Sequence, residues 1–204
     1  MADTGAPWNI PFAEPSDLVR DWPGLSEDVA DAVAAGLTAA GNAGIGSNVV
    51  SVTKTDPFSQ SVGAGGVTAD VSGLTATITP SSDTSKILVL SYTTTAASSA
   101  SSNNNRAVNV ILRRDSSDIF VGTPFQSRRP VTAGGIATAT FGLQNVAVVV
   151  LDSPGTSSPV SYSVRLHNGE TGDRTMLVNR VGTDNNDAAV GRATSSITLI
   201  EVSA

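Results

Sequence analysis

From residue 48 onward the chain repeats one pattern: a short run in which apolar and polar side chains alternate, then a cluster of Gly, Pro, Ser, Asn or Asp. Val160, Tyr162, Val164 and Leu166 alternate with Ser161, Ser163 and Arg165. That is the period of a strand with one face in a core and the other in water. The pattern predicts strands at 49–55, 74–79, 86–95, 106–114, 117–121, 136–151, 160–167, 175–181 and 196–202. No helical spacing separates them, so the fold is mainly β: an antiparallel β-sandwich or jelly roll, not a βαβ sheet. The run Val146–Leu151 (VAVVVL) is apolar in both phases. Such a strand is buried on both faces, by its own two sheets or by a neighbour. Residues 96–105 (AASSASSNNN) are polar and of low complexity, and are expected to form a loop.

The first 45 residues read differently. Pro7, Pro11, Pro15 and Pro23 are interleaved with Trp8, Ile10, Phe12 and Trp22. Prolines at this spacing exclude both helix and central strand, so the stretch should be extended and should lie against something, either its own domain or another chain. Trp8, Phe12 and Trp22 are the candidate anchors, since large aromatic side chains bury much area at low entropic cost. Residues 25–40 (LSEDVADAVAAGLTAA) predict a helix capped by Ser26, with Leu25, Val29, Val33 and Leu37 on one stripe, and Gly41, Gly44 and Gly46 end it. A helix this short is marginal alone, so its stripe needs a partner: the chain's own domain or further copies of the chain. Residues 1–31 hold seven acids against the single base Arg20, whereas the remainder is neutral, with eleven of each. Composition and charge thus divide the chain into an attachment segment, 1–45, and a β-sandwich domain, 46–204.

The same composition narrows the functions. A net charge of −6 argues against nucleic acid, because phosphate binding needs clustered, uncompensated cations. No apolar run approaches a membrane span, and the N-terminus lacks the basic and apolar regions of a signal peptide. With no cysteine there can be no disulfide or thiolate metal site. His167 is the only histidine, expected in a turn, and a poor basis for a catalytic triad. Gly63–Gly66 lacks the context of a phosphate loop. Asp184–Asp187 (DNND) offers oxygen ligands without the spacing of a calcium loop, and a turn is favoured there. Glu170 and Asp173 flank Gly172, a poor support for a rigid pair of glycosidase carboxylates. The expectation is a non-enzyme without cofactor or metal. One basic cluster stands out, Arg106, Arg113, Arg114, Arg128 and Arg129, suited to an anionic partner or to pairing with Asp115 and Asp118 in the same hairpin.

Residues 10–33 (IPFAEPSDLVRDWPGLSEDVADAV) resemble the opening of small bacteriophage tail-fibre and minor tail proteins: a Pro-rich extended stretch followed by a short Ala-rich helix. The stretches 78–89 (ITPSSDTSKILV), 113–122 (RRDSSDIFVG), 149–166 (VVLDSPGTSSPVSYSVRL) and 178–202 (VNRVGTDNNDAAVGRATSSITLIEV) are similar to a recurrent C-terminal module of phage fibre proteins. Ten Arg against two Lys, with the Ala richness, look like a phage of a high-GC host. The resemblance implies a virion protein assembled in the host cytoplasm, partnered by other tail or capsid proteins, with a trimeric sandwich-like tip and no catalytic residue. A tail-fibre or tail-tip subunit is the leading expectation, a capsid decoration or head-fibre protein the alternative, and a host-glycan lectin or glycan-active enzyme the rival from another class. A homotrimer with the helix stripes meeting near the axis would bury them and hide sheet edges that this Lys-poor chain leaves unguarded.

Overall fold

The computed structural model describes residues 2–3, 11–12, 28–36, 48–98, 105–138, 142–183, 186, 188 and 190–203. Two short strands near the N-terminus, β1 (Ala2–Asp3) and β2 (Pro11–Phe12), pair antiparallel, and a helix, α1, spans 28–36. The flanks of the expected 25–40 helix, Leu25 and Leu37 among them, lie outside the described residues, as do Trp8 and Trp22 and the side chain of Phe12.

Eleven strands follow: β3 (Val49–Lys54), β4 (Phe58–Val62), β5 (Thr75–Ile78), β6 (Lys86–Ser98), β7 (Asn105–Arg114), β8 (Ser117–Ile119), β9 (Ala133–Thr138), β10 (Gln144–Asp152), β11 (Val160–Asn168), β12 (Arg174–Val178) and β13 (Ser195–Val202). They form two antiparallel sheets packed face to face. The first is centred on β6, which pairs β10 along one edge and, along the other, β13 and then β12 end to end. Outside these lie β3 on β13 and β4 on β12. In the second sheet β11 stands between β5 and β7, and β7 carries β8 and β9 end to end on its far side.

Strands lying end to end make one column, so each sheet has four. The column of β5 is extended by residues 67–71, which bridge at Val67 to His167 and hydrogen-bond Thr68 N to Leu166 O at 2.9 Å. A turn at 71–74 joins the two pieces, with Gly73 at φ 78°, the left-handed geometry a type II turn requires at its third position. Numbered by the chain, the columns stand in the order 6-3-8-1 in the first sheet and 2-7-4-5 in the second. That connectivity is a jelly roll.

The core fills from the alternation. Val146 and Val148 of β10, Ile87 and Val89 of β6, Ile197 and Leu199 of β13 meet Val108, Val110 and Leu112 of β7 and Tyr162, Val164 and Leu166 of β11. Where the first sheet breaks, between β12 and β13 and beside it between β3 and β4, a buried Asn179 replaces the missing ladder. Its Nδ2 donates to Lys54 O at 2.9 Å and Asp56 O at 3.1 Å, and its Oδ1 accepts from Ser195 Oγ at 2.7 Å. Asn is among the few residues that tolerate the φ of 62° found there.

Three expectations change. The run 136–151 is two strands in different sheets, β9 and β10, because one alternating pattern continues across a change of sheet. Residues 58–62 (FSQSV) form a strand the pattern did not mark, since Ser and Gln dilute its apolar face. Ala96–Ser98 continue β6 and Asn105 begins β7, narrowing the expected loop to 99–104, which lies outside the described residues.

Candidate interaction surfaces

The outward face of the first sheet is a grid fixed by register. One row across it reads Leu151, Leu88, Ile200, Val49; the next reads Val149, Leu90, Thr198, Ser51; the third reads Ala147, Tyr92, Ser196, Thr53. None of these side chains is charged. Val149 is 66% exposed, Val49 51%, Leu151 46% and Tyr92 44%, so large apolar groups stand in solvent across neighbouring strands. The hydroxyls of Ser51 and Thr198 bond each other at 2.8 Å. Lys86, beside Val202, borders the grid at one end. At the other a groove of about 430 Å³ is lined by Tyr92, Thr94, Leu143, Asn145 and Arg192–Thr194.

Apart from Lys86 at the border, the charged residues of the strands that make this grid point the other way. Lys54, Asp152 and Glu201 are buried, in phase with the inward apolar positions. Burial alone would raise the Glu201 carboxyl. Ser81 N donates to Oε1 at 2.7 Å, the Ser81 hydroxyl joins it, and Asn48 Nδ2 donates to Oε2 at 3.0 Å. These bonds, with the Ser85 hydroxyl nearby though not aligned, overcome desolvation and hold the carboxyl at about 2. Asp152 accepts the Tyr162 hydroxyl at 2.6 Å and Arg114 Nη1 at 2.9 Å. Burial, then Asp152, pushes the Tyr162 phenol up, so it remains a donor. Lys54 reaches the exposed Asp56 at 2.7 Å, and that hydrogen bond lowers the Asp56 carboxyl.

The second sheet, Arg114 apart, carries its ions outward. Arg113 Nη1 donates to Asp70 Oδ1 at 2.8 Å and its Nε lies 3.4 Å from Asp118 Oδ1, while Arg165 pairs with the other oxygen of Asp118. Ser163 Oγ donates to Asp70 at 2.9 Å. Of the hairpin acids weighed as partners of the arginine cluster, Asp118 takes Arg113, whereas Asp115 accepts Ser161 N at 3.0 Å. The cluster is therefore dispersed: Arg113 joins the outward network, Arg114 turns inward to Asp152, and Arg128 stacks over the Phe125 ring at 5.5 Å. Arg129 is exposed on the same loop, close enough for its charge to act on His167. The side chain of Arg106 lies outside the described residues.

The polar groups weighed for chemistry are tied into the frame. His167 is a buried strand residue, not a turn residue, and Asn109 Nδ2 approaches its Nδ1 at 3.0 Å. Burial, then the charge of Arg129, lowers its pKa against a backbone hydrogen bond with Gly65. Glu170 Oε1 accepts Ala107 N at 2.9 Å and its Oε2 lies 3.9 Å from Arg174 Nη2, while Asp173 is exposed. Asn168 Nδ2, fully buried, donates to Gly63 O at 3.0 Å and Gly172 O at 2.9 Å, closing both glycine turns. Asp184, Asn185 and Asp187 lie outside the described residues. Among the described residues no cluster of acids and histidine has the makings of a metal site, and no helix is long and apolar enough to cross a membrane. On α1, Val33 is 37% exposed and Val29 partly buried.

No family model and no curated protein matches this chain.

Proposed function

We propose that this chain is a structural protein of a bacteriophage particle, a tail-fibre or tail-tip subunit attached through residues 1–45 and displaying the jelly roll outward for contact with the host surface. The observation that carries it is the distribution of surface chemistry. His167, Glu170, Asp152 and Glu201 are engaged in hydrogen bonds that hold strands and turns together. Most of the large exposed apolar side chains instead gather on a neutral sheet face, at Val49, Tyr92, Val149 and Leu151, and on the loop bearing Phe120, Val121 and Phe125, with Val33 of α1 and Ile136 of β9 apart from them. Surfaces of that kind serve contact with other macromolecules. The likeness of residues 10–33 and of the β stretches to phage fibre proteins supplies the particle, and copies meeting as a homotrimer complete the proposal.

Mass spectrometry of purified particles tests it. A few to a few dozen copies is the expected result for a tail subunit; hundreds would transfer the protein to the capsid as a decoration or head-fibre protein. Absence from particles overturns the proposal. One feature favours a second reading as a glycan-binding module, the groove where Tyr92 lies beside Thr94, Asn145 and Arg192. A host-glycan array probed with wild type and Tyr92→Ala tests it: signal lost in the variant supports the lectin, and a blank array removes it.

A further inference from the structure

We infer that the outward face of the first sheet is where copies of this chain meet one another, so that the assembly is closed through the sandwich and not through α1. The inference rests on the oligomeric part of the proposal above but not on the phage particle. Strand and residue spacings make the twelve-position grid about 19 by 20 Å, or roughly 400 Å² in projection. Eight of those positions are apolar, roughly 270 Å², just under the range of the largest apolar patch a monomer exposes. The whole grid is about half of the ~800 Å² each partner contributes to a standard interface, before any rim is added. The rim is polar, Lys86 at one end and the Asn145–Arg192 groove at the other. An apolar centre with a polar border is the anatomy of a protein–protein contact.

The chemistry of the grid selects a copy of the same chain. Where a symmetry axis passes through a surface, the residues nearest it meet their own copies, so a charge there faces a like charge; this grid carries no charge to be repelled. The Ser51 and Thr198 hydroxyls bond each other, which lowers the cost of dehydrating them. The segment 1–31 suits the face less well. It carries a net charge of −6, and the grid offers no cation to receive its acids. The run Val146–Leu151, apolar in both phases, then has both faces covered: Val146, Val148 and Val150 by the second sheet, Ala147, Val149 and Leu151 by a neighbouring copy.

Light scattering on the full chain tests this with Val149→Glu, a substitution at a site exposed enough to leave the protomer folded. Wild type is expected at a multiple of 20.6 kDa and the variant at 20.6 kDa, a two- to threefold loss of mass with an unchanged circular dichroism spectrum. A monomeric wild type overturns the inference while leaving the particle to its own test. A variant that keeps the wild-type mass also overturns it, and Val33→Asp then shows whether α1 makes the contact. Should the glutamate disturb folding, the absence of native cysteine permits Val149→Cys, with Ser116→Cys on the other sheet's hairpin as control. Oxidative cross-linking of the first and not the second supports the interface. Failure to cross-link overturns it. So does a Val149→Cys variant that is monomeric with its thiol shielded from maleimide, a result that would give the face to the chain's own N-terminal segment.

Discussion

On the second sheet Arg113 and Arg165 stand on the outward side and share Asp118, whereas on the first sheet that side is aliphatic and hydroxylic, and Lys54, Asp152 and Glu201 face inward. Both sheets obey the same period of two. They differ in which phase receives most of the charge, Lys86 of the first sheet and Arg114 of the second being the exceptions. An ion network at the surface keeps its stabilisation only while the groups stay paired and hydrated, and drying such a face costs several kcal/mol per unpaired ion. A neutral face can be dehydrated at little cost. The first sheet thus keeps its charges as internal fasteners and leaves its outside free for contact.

Glu201→Ala is the strongest way to break the comparison. It removes the acceptor for Ser81 N and Asn48 Nδ2 at a fully buried site and is expected to lower stability by about 3 kcal/mol, read as a shifted urea midpoint. Because the folded carboxyl is held at about 2, below its ordinary value of 4.5, the unfolded chain binds the extra proton first. The stabilisation is complete above pH 4.5 and is lost as the pH falls toward 2. Glu201→Gln should flatten that acid limb. A limb unchanged by the substitution would place the acid sensitivity elsewhere.

Asp118→Asn should have a smaller effect, about 1 to 2 kcal/mol, because its partners are partly solvated. Its sharper signature is ionic strength: added salt should weaken wild type more than the variant. On the neutral face Thr198→Val should change protomer stability by less than about 0.5 kcal/mol, with the same salt dependence as wild type. A salt response there would contradict a charge-free surface.

Much of this frame is legible in the chain itself, because β11 is apolar in one phase only. Val160, Tyr162, Val164 and Leu166 are buried where the alternation puts them. The outward face of the first sheet is harder to read because its strands are apolar in both phases. In β13, Ile197 and Leu199 point inward and Ile200 outward, so nothing in SITLIEV tells which side takes Glu201. The dual phase of Val146–Leu151 suggests cover on both faces, whereas Val149 and Leu151 stand exposed on the protomer, and pairing register alone brings Leu151, Leu88, Ile200 and Val49 into one row. The arginine cluster is divided for a related reason. Neighbours in sequence on a strand face opposite sides, which sends Arg113 outward to Asp70 and Arg114 inward to Asp152.

The clasp at Asn179 has a consequence for how the molecule can vary. Asn179 and Ser195 hold each other at 2.7 Å, and Ala193 N returns to Asn179 O at 3.2 Å, so the excursion between β12 and β13 leaves and re-enters the sheet at one point. A loop knotted at its neck can change in length and wording without altering strand register, since doubling it adds only about 0.6 kcal/mol of closure entropy. Beyond the buried Val181, residues 182–192 are therefore the natural graft site of the scaffold, a place where foreign peptides can be spliced in and new specificities tried while the sandwich beneath stays the same.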